Sequence, residues 1–272
     1  MVFSNAELSA KNRSKTYTKY KSVFMGSLVP LLFLALWEYL ASEEIISPIF
    51  FPPPTKLFEI GIALSGDGTL LLHIQKTLSR LIPAFVIGSL SGLTAGLILG
   101  SSRRVRILLE PSLLALYSIP KIALLPIFLA AFGVGESALI GLITTSVFFY
   151  VWIYTMSAAI RTPENLLRTA RAFGATRLSI ITRVVFRSAL PETMSGVRVG
   201  VTVSLLVCLT AEYVLGTDGI GYLILGSRSL GQHSVSYLGI LIASITGLLL
   251  QAGVKKLDSF VNPGVKSYYK NS

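Results

Sequence analysis

The sequence predicts an all-α integral membrane protein with six transmembrane helices, and three observations support this fold class. First, 52% of the 272 residues are hydrophobic and only 14% are charged, with a mean hydropathy of +0.69. Soluble domains carry about 25% charged residues and disordered chains are poor in hydrophobic residues, so both classes are excluded. Second, six windows are apolar and long enough to cross a bilayer. Third, basic residues collect in alternate connections between these windows.

The six windows each contain the roughly 20 apolar residues that a transmembrane helix needs. They cover residues 23–41, 81–100, 108–132, 137–160, 193–215 and 236–254. Prolines interrupt the third window. A transmembrane helix tolerates proline where neighbouring groups donate hydrogen bonds to the carbonyls that the proline leaves without a partner. We therefore expect a transmembrane domain over residues 23–257, preceded by a basic tail of residues 1–22 and followed by a tail of residues 258–272.

Lysine and arginine indicate the orientation of this domain. Eighteen of them lie in the tail of residues 1–22, in the connection after the second window, in the segment after the fourth window and in the residues that follow the sixth window, from Lys255 onward. The opposite connections hold only Lys56, Lys76 and Arg228. Because cytoplasmic segments carry the basic excess, both termini are expected in the cytoplasm. A net charge of +11 can also suit nucleic acid, but topology explains it first, and no nucleic-acid partner is expected.

Glycines recur every four residues in the second window, at Gly88, Gly92, Gly96 and Gly100. A stripe of this kind lets another helix approach closely. The approaching helix could belong to the same chain, which we favour, or to a second copy.

The outer connection of residues 43–76 opens with prolines, which favour an extended backbone. A short helix is expected over residues 55–64, with an end at the turn Gly66-Asp67-Gly68. Its apolar cover is typical of a helix that lies on the membrane surface.

Residues able to support metal or acid–base chemistry are scarce. Cys208 is the only cysteine, and His73 and His233 are the only histidines, so neither a disulfide nor a metal site is expected. The windows contain no carboxylate pair or Ser–His arrangement at catalytic spacing. The chain also lacks the phosphate-binding pattern Gly-x-x-x-x-Gly-Lys-Ser/Thr. We therefore expect a protein that is not an enzyme and binds no cofactor directly.

The cytoplasmic segment of residues 161–192 is expected to form two helices. For the first, Thr162 is the expected N-cap, Pro163 the first helical residue and Gly174 the C-terminal stop. The second, over about residues 175–190, should end near Pro191. The first helix suits either a groove on a cytosolic partner or anionic lipid headgroups, because it combines an apolar face with basic residues. The apolar face comprises Leu166, Leu167, Ala170 and Phe173.

The same segment resembles the EAA loop of ABC-importer permeases. The matching stretch is Arg168-Thr169-Ala170-Arg171-Ala172-Phe173-Gly174, with Val184 and Leu190-Pro191 after it. Other stretches that resemble this family, in the same order, are Pro52-Pro53-Pro54-Thr55, residues 118–126 with Phe132-Gly133, and Ala211-Glu212-Tyr213 with residues 219–224. Residues 48–257 are thus similar to the nitrate, sulfonate, taurine and bicarbonate branch of binding-protein-dependent permeases. The departures from the loop pattern are Arg168 for the usual glutamate, Thr169 for the first alanine and Arg187 for a later proline.

The resemblance implies a type I importer fold in a bacterial inner membrane, with a cytoplasmic coupling helix. The implied partners are two cytosolic ATPases that bind ATP and Mg²⁺, a second permease copy or close paralogue, and an extracytoplasmic substrate-binding protein. The implied substrate is a small anion of the sulfonate, nitrate, taurine or bicarbonate type. An autonomous channel or carrier is the alternative. The residues assigned to ATPase coupling are Glu164, Leu167, Arg168, Ala170, Arg171, Phe173 and Gly174.

Candidates for the translocation path are few. An ammonium group in an apolar run costs about 3 kcal/mol unless it faces water, a partner or an anion. Lys121 could therefore attract an anionic substrate, or it could bind local carbonyls or an acid such as Glu110 or Glu212. Near the end of the fifth window, Glu212, Gly219 and Gly221 could form a gate or a contact surface for the binding protein. Alternatively, Glu212 is a buried acid that caps a helix.

Overall fold

The computed structural model describes residues 28–215 and 218–262, and the regular secondary structure in these ranges is entirely helical. The expectations for the tail of residues 1–22, for the first five residues of the first window and for residues 263–272 fall outside the described residues. The helices are α1 (Leu28–Ser42), α2 (Pro54–Gly66), α3 (Thr69–Ser101), α4 (Arg103–Ser118), α5 (Leu125–Phe132), α6 (Glu136–Ile160), α7 (Glu164–Ala172), α8 (Arg177–Leu215), α9 (Ile220–Ser229) and α10 (His233–Val261).

Four helices, α3, α6, α8 and α10, are long and apolar enough to cross a membrane. They contain the second, fourth, fifth and sixth windows. The pair α4 and α5 makes a fifth candidate span, while α1 is apolar but shorter than a span. The expected all-helical membrane fold is therefore confirmed, with four or five spans in the described ranges. Six spans remain a prediction.

The third window does not form one straight helix. α4 ends at Ser118, and the chain bends by 94° before α5. Ile119 has extended backbone angles (φ −71°, ψ 129°). Pro120 favours this conformation, because its ring would clash with Ile119 if Ile119 were helical. A 3₁₀ turn at Lys121–Leu124 then leads into α5.

The helix expected to end near Pro191 continues through it, so that expectation is wrong. α8 contains 39 residues, including a π-helical turn at Ile180–Val185. Proline removes one backbone donor, but the other backbone groups still need partners, and the buried Ala189 and Leu190 hold this segment against the bundle. The loss of a single hydrogen bond does not outweigh that requirement.

The glycine stripe of α3 packs against α6. A Cβ atom added at any of the four glycines would lie 2.4–2.6 Å from an atom of α6, closer than real Cβ contacts allow. The two backbones can approach only because these side chains are absent. The close neighbours on α6 include Thr144, Phe148, Thr155 and Ala159. The stripe is thus occupied by a helix of the same chain.

The hydrophobic core lies where α3, α6 and α8 meet. The α6 residues at its centre are fully buried, and Cys208 of α8 lies among them as a small apolar side chain. These α6 residues are Leu142, Ile143, Val147 and Val151. Successive spans run in opposite directions, so α3, α6 and α10 begin at the end of the bundle where α8 ends. We call this the outer end and the opposite end, which carries α7, the inner end, after the orientation predicted from charge.

Replacement of Gly92 by alanine should destabilise the bundle by about 1–3 kcal/mol, because overpacking forces backbones apart. The new Cβ atom would lie 2.6 Å from the Phe148 carbonyl oxygen. Unfolding of the detergent-solubilised chain by denaturant measures the effect. Gly253→Ala is the matched control, because no atom lies within 4 Å of its added Cβ. Helix propensity should make the control neutral or up to about 1 kcal/mol stabilising. Equal stability of the two variants would contradict the close approach.

Candidate functional site

A buried arginine gathers acidic side chains at the outer end of the bundle. Arg80 of α3 is only 3% exposed. Its guanidinium donates to both carboxylate oxygens of Glu136, at 2.6 and 2.8 Å, and to Oε1 of Glu212 at 2.9 Å. It also donates to the Asp218 carbonyl at 3.1 Å and pairs with the Asp218 carboxylate. One side chain therefore joins α3, α6, α8 and the turn that follows α8.

Lys76, one helical turn before Arg80, adds a second cation. Its Nζ lies 3.6 Å from Asp218 and 4.0 Å from Glu136. We refer to Lys76, Arg80, Glu136, Glu212 and Asp218 as the outer charge cluster. Burial opposes ionisation of Asp218, but hydrogen bonding and charge from Arg80, reinforced by Lys76, lower the pKa of its carboxyl below the ordinary value. The guanidinium fills the space between the carboxylates, so the arrangement suits a structural tie rather than a cation site.

The outer charge cluster also holds the beginning of α9. The first N–H groups of a helix lack intrahelical partners and need acceptors from elsewhere. Here the N–H of Gly219 donates to Nδ1 of His73 at 3.0 Å, and that of Ile220 donates to the Thr77 hydroxyl at 2.8 Å. The Gly221 N–H donates to Oε2 of Glu212 at 2.9 Å. Side chains of α3 and α8 thus cap α9, and the carboxylate also suits the positive end of the helix dipole.

The two glycines at this turn are required by the geometry. Gly219 has a φ of +105°, which disfavours any residue with a side chain. Its added Cβ would lie 2.3 Å from Cδ of Glu212, and a Cβ at Gly221 would lie 2.1 Å from the Leu209 carbonyl oxygen. Both glycines therefore let α9 fold tightly against the end of α8.

Glu212 is 1% exposed and also accepts a hydrogen bond from Thr77 at 2.9 Å. It is thus a buried acid that caps a helix, which is one of the alternatives considered from the sequence. Whether it also belongs to a gate is a separate question of function.

Four members of the outer charge cluster were not identified as site residues from the sequence: Lys76, Arg80, Glu136 and Asp218. Lys76 and Arg80 lie more than fifty residues before Glu136, and Asp218 lies more than fifty residues after it, so no local pattern links the cations to the acids. One signal was available. An arginine at the edge of an apolar window must find partners, and Glu136, Glu212 and Asp218 are acids at the same predicted end of the spans.

Lys121 binds local carbonyls at the bend between α4 and α5. Its ammonium donates to the carbonyls of Leu116, Tyr117 and Ile119 at 2.9, 2.7 and 2.9 Å. It also lies 4.5 Å from the ring centroid of Phe149, a distance that allows a cation–π interaction. The ammonium thereby supplies a donor to two carbonyls of the last turn of α4 and to the carbonyl that follows it.

The acids considered as partners of Lys121 have other partners. Glu110 lies 3.8 Å from Arg106, and Glu212 belongs to the outer charge cluster. The Lys121 ammonium is therefore held by backbone carbonyls, which is one of the alternatives considered from the sequence.

α7 lies at the inner end, between the spans α6 and α8. Leu167 packs against a small apolar cluster that includes Ala158, Val185 and Ala189, which fixes α7 to both spans. Phe173 is 87% exposed and Leu166 is 46% exposed. The apolar residues expected on one face therefore divide between an anchored side and an exposed side.

The ends of α7 differ in how well the sequence predicted them. Pro163, not Thr162, occupies the N-cap position, so the expected Thr162 cap is wrong. Pro163 has extended angles (φ −56°, ψ 128°), and its carbonyl accepts from Leu166 and Leu167. Gly174 ends the helix with a φ of +74°, as expected for a C-terminal glycine.

Charged side chains cover the rest of α7. Arg168 lies 3.4 Å from Glu164, and Arg171 lies 3.6 Å from the same carboxylate. Glu164 thus neutralises part of the basic face of α7. The glutamate of the EAA-loop pattern would stand at position 168, four residues later, where this chain has Arg168. Both arginines remain largely exposed and accessible to a partner.

Replacement of Arg80 by methionine should destabilise the chain by about 3–5 kcal/mol, because it leaves the buried Glu212 carboxylate without its counter-charge. Denaturant unfolding of the solubilised chain measures the loss. Arg198→Met is the control, since Arg198 also pairs with an acid, Asp258 at 3.4 Å, but its side chain is 42% exposed. That change should cost at most about 1 kcal/mol. Similar losses in both variants would show that the outer charge cluster contributes no more than a surface pair.

Comparison with known proteins identifies the family. A family model described as "Binding-protein-dependent transport system inner membrane component" matches residues 79–266. The taurine transport system permease protein TauC of Escherichia coli is 30% identical over 244 residues, 88% of each chain. The nitrate import permease protein NrtB of Synechocystis is 28% identical over 236 residues, 85% of this chain and 86% of the relative.

A solved structure supports the fold independently. The MetNI methionine ABC transporter, in an inward-facing conformation, matches with a TM-score of 0.63 and 20% identity over 71% of this chain and 96% of that chain. At this identity the match concerns the fold alone, and it agrees with the helical architecture described above. The resemblance found in the sequence is confirmed by the family model, and the chain belongs to the binding-protein-dependent transport system inner membrane components, the permeases of ABC importers.

Proposed function

We propose that this permease carries a small anion of the sulfonate, taurine, nitrate or bicarbonate type, and that α7 is the helix through which a separate ATPase drives it. The first part is supported by the substrates named for its relatives, which include taurine, nitrate and, in SsuC of Bacillus subtilis at 29% identity, aliphatic sulfonates. The second part depends on the exposed apolar surface of α7.

The observation that carries the coupling proposal is the position of Phe173. A phenylalanine that is 87% exposed at the end of a short helix loses the free energy of burial unless a partner covers it. Leu167 holds the same helix to α6 and α8, so a force on Phe173 would be transmitted to two spans. A groove on an ATPase would bind the exposed side, with Arg168 and Arg171 at its margin. Ala170 and Gly174 keep this surface narrow, and Glu164 restrains the two arginines.

The proposed assembly supplies the chemistry that this chain lacks. ATP and Mg²⁺ would bind to two cytosolic ATPases, because the sequence has no phosphate-binding loop. A second copy of the permease would complete the path, and an extracytoplasmic binding protein would deliver the substrate. The proposed location is the bacterial inner membrane, with both termini in the cytoplasm. A chain that moves solute without these partners would instead be an autonomous channel or carrier.

The proposed gate consists of Glu212, Gly219 and Gly221, and Glu212 joins it to the outer charge cluster. These residues hold α9 against α3. Opening of the outer end would therefore require their contacts to separate or to move as one body. ATP binding can drive such a change only if it favours one arrangement over the other.

Phe173→Ala should reduce uptake at least tenfold, because it removes the exposed side chain offered to the ATPase. Its effect on folding should be small, since the ring is 87% exposed. Uptake and retention of the co-expressed ATPase are measured at matched membrane abundance, with radiolabelled taurine, an alkanesulfonate and nitrate as substrates. Phe260→Ala is the matched control, because Phe260 is 84% exposed and also lies near the inner end.

The outcomes separate the coupling proposal from its alternatives. The proposal is supported if Phe173→Ala loses both uptake and ATPase retention while Phe260→Ala keeps both. Normal uptake by Phe173→Ala contradicts it. Vesicles that contain only this chain provide a second test: accumulation of solute against a gradient would establish an autonomous carrier.

Lys121→Met should lower folded abundance and uptake together. The change removes the Lys121 donor from the carbonyls of Tyr117 and Ile119, while Leu116 keeps the Ile119 N–H, at a cost of about 1–3 kcal/mol. Quantitative membrane immunoblots and uptake measured on the same samples provide the comparison. Lys56→Met, at an exposed position on α2, is the control for loss of a positive charge. Loss of uptake at normal abundance would instead support attraction of the anionic substrate by Lys121.

A further inference from the structure

An apolar groove lies between α1, α2 and α10 toward the outer end of the bundle. Its volume of about 830 Å³ lies within the range of roughly 300–1,000 Å³ that is usual for ligand sites. The wall residues that define it are Leu34, Trp37, Leu57, Phe58, Leu241 and Ser244. The groove is therefore large enough for an elongated apolar ligand.

The walls of the groove are held in place by specific contacts. Glu38 of α1 accepts hydrogen bonds from the backbone N–H and the hydroxyl of Thr55, at 3.0 and 2.7 Å. Trp37 contacts Tyr237 of α10, with 5.8 Å between ring centroids. These contacts join α1 to α2 and to α10 and fix the positions of the groove walls.

The groove opens sideways, where the surface of the bundle is apolar. Phe58 is 72% exposed and Leu241 is 49% exposed at its margin. Because α10 is a candidate span and the residues at the margin of the groove are apolar, we expect this opening to face the hydrocarbon of the bilayer. The material in contact with such an opening is lipid.

A smaller cavity of about 280 Å³ continues the groove and is more polar. It shares Tyr237 and Ile240 with the groove, and Arg228, His233 and Ser236 also line it. Within residues 28–215 and 218–262, no hydrogen bond or ion pair engages the guanidinium of Arg228 or the imidazole of His233. Two potential donors therefore face one cavity at the end of an apolar groove.

We propose that this composite site binds one phospholipid of the outer leaflet. An acyl chain would lie in the groove, and the phosphate would bind Arg228 and His233, since guanidinium is the preferred partner of phosphate in proteins. The apolar groove matches the acyl chain of this ligand, and the smaller cavity with Arg228 matches its phosphate. A small soluble anion would leave the groove empty, and an apolar helix of another protein would leave the Arg228 guanidinium unpaired.

The test uses the full chain, purified in detergent micelles doped with phosphatidylglycerol or phosphatidylcholine and analysed by native mass spectrometry. The wild type should retain one phospholipid with each. Arg228→Gln should weaken retention about tenfold, because it removes a charge-assisted hydrogen bond to the phosphate. Lys56→Gln is the control, because Lys56 is an exposed cation on α2 that does not line the site.

A second pair of variants tests the groove. Ser244→Trp should block the acyl chain and abolish retention, because Ser244 lines the groove. Leu248→Trp places the same side chain one turn later on α10, at a position 71% exposed and outside the groove, and should leave retention unchanged. Thermal unfolding of each variant shows that loss of lipid does not reflect loss of folding.

The results distinguish a phospholipid site from its alternatives. Competition by inorganic phosphate as strong as by phospholipid would overturn the proposal in favour of an anion site. Equal phospholipid retention in Arg228→Gln and Lys56→Gln would overturn the proposal, because Arg228 would then not bind the phosphate. Equal retention in Ser244→Trp and Leu248→Trp would overturn it as well, because the groove would then not hold the acyl chain. The proposal stands if both halves are needed and phosphate does not compete.

Discussion

The pairing of the Arg80 guanidinium is the constraint on which the outer half of this permease depends. A buried cation with hydrogen-bond donors pointing in several directions is tolerated only where acceptors meet all of them. Here those acceptors come from α6, from α8 and from the turn before α9. The helices must therefore keep a fixed relative position at this end, and the glycine stripe of α3 brings α6 close enough to supply Glu136.

A second constraint acts on the backbone of α9. A helix that begins next to the end of a span has N–H groups that water cannot easily reach, so each needs a protein acceptor. His73, Thr77 and Glu212 provide these acceptors. Glu212 serves both constraints, since one carboxylate oxygen binds Arg80 and the other binds Gly221. The two networks are thus a single unit.

The sequence could predict the spans because hydropathy depends on local composition. It placed the apolar parts of α3, α6, α8 and α10 correctly, but α3 begins well before residue 81, since a hydropathy window detects only the part of a helix that lies in hydrocarbon. The C-terminal glycine of α7 was also predictable, because its backbone conformation is a local preference. The continuation through Pro191 and the grouping of Glu136, Glu212 and Asp218 around Arg80 depend on tertiary surroundings. No local preference encodes these features.

The uninterrupted course of α8 through Pro191 has a mechanical consequence. At 1.5 Å per residue, its 39 residues form a rod of roughly 58 Å, longer than the hydrocarbon layer is thick. Val185, near one end, belongs to the apolar cluster that anchors α7, and Glu212, near the other end, binds Arg80. Because Val185 and Glu212 belong to one continuous helix, a displacement of α7 at the inner end would pass through the backbone of α8 to the partners of Arg80 at the outer end.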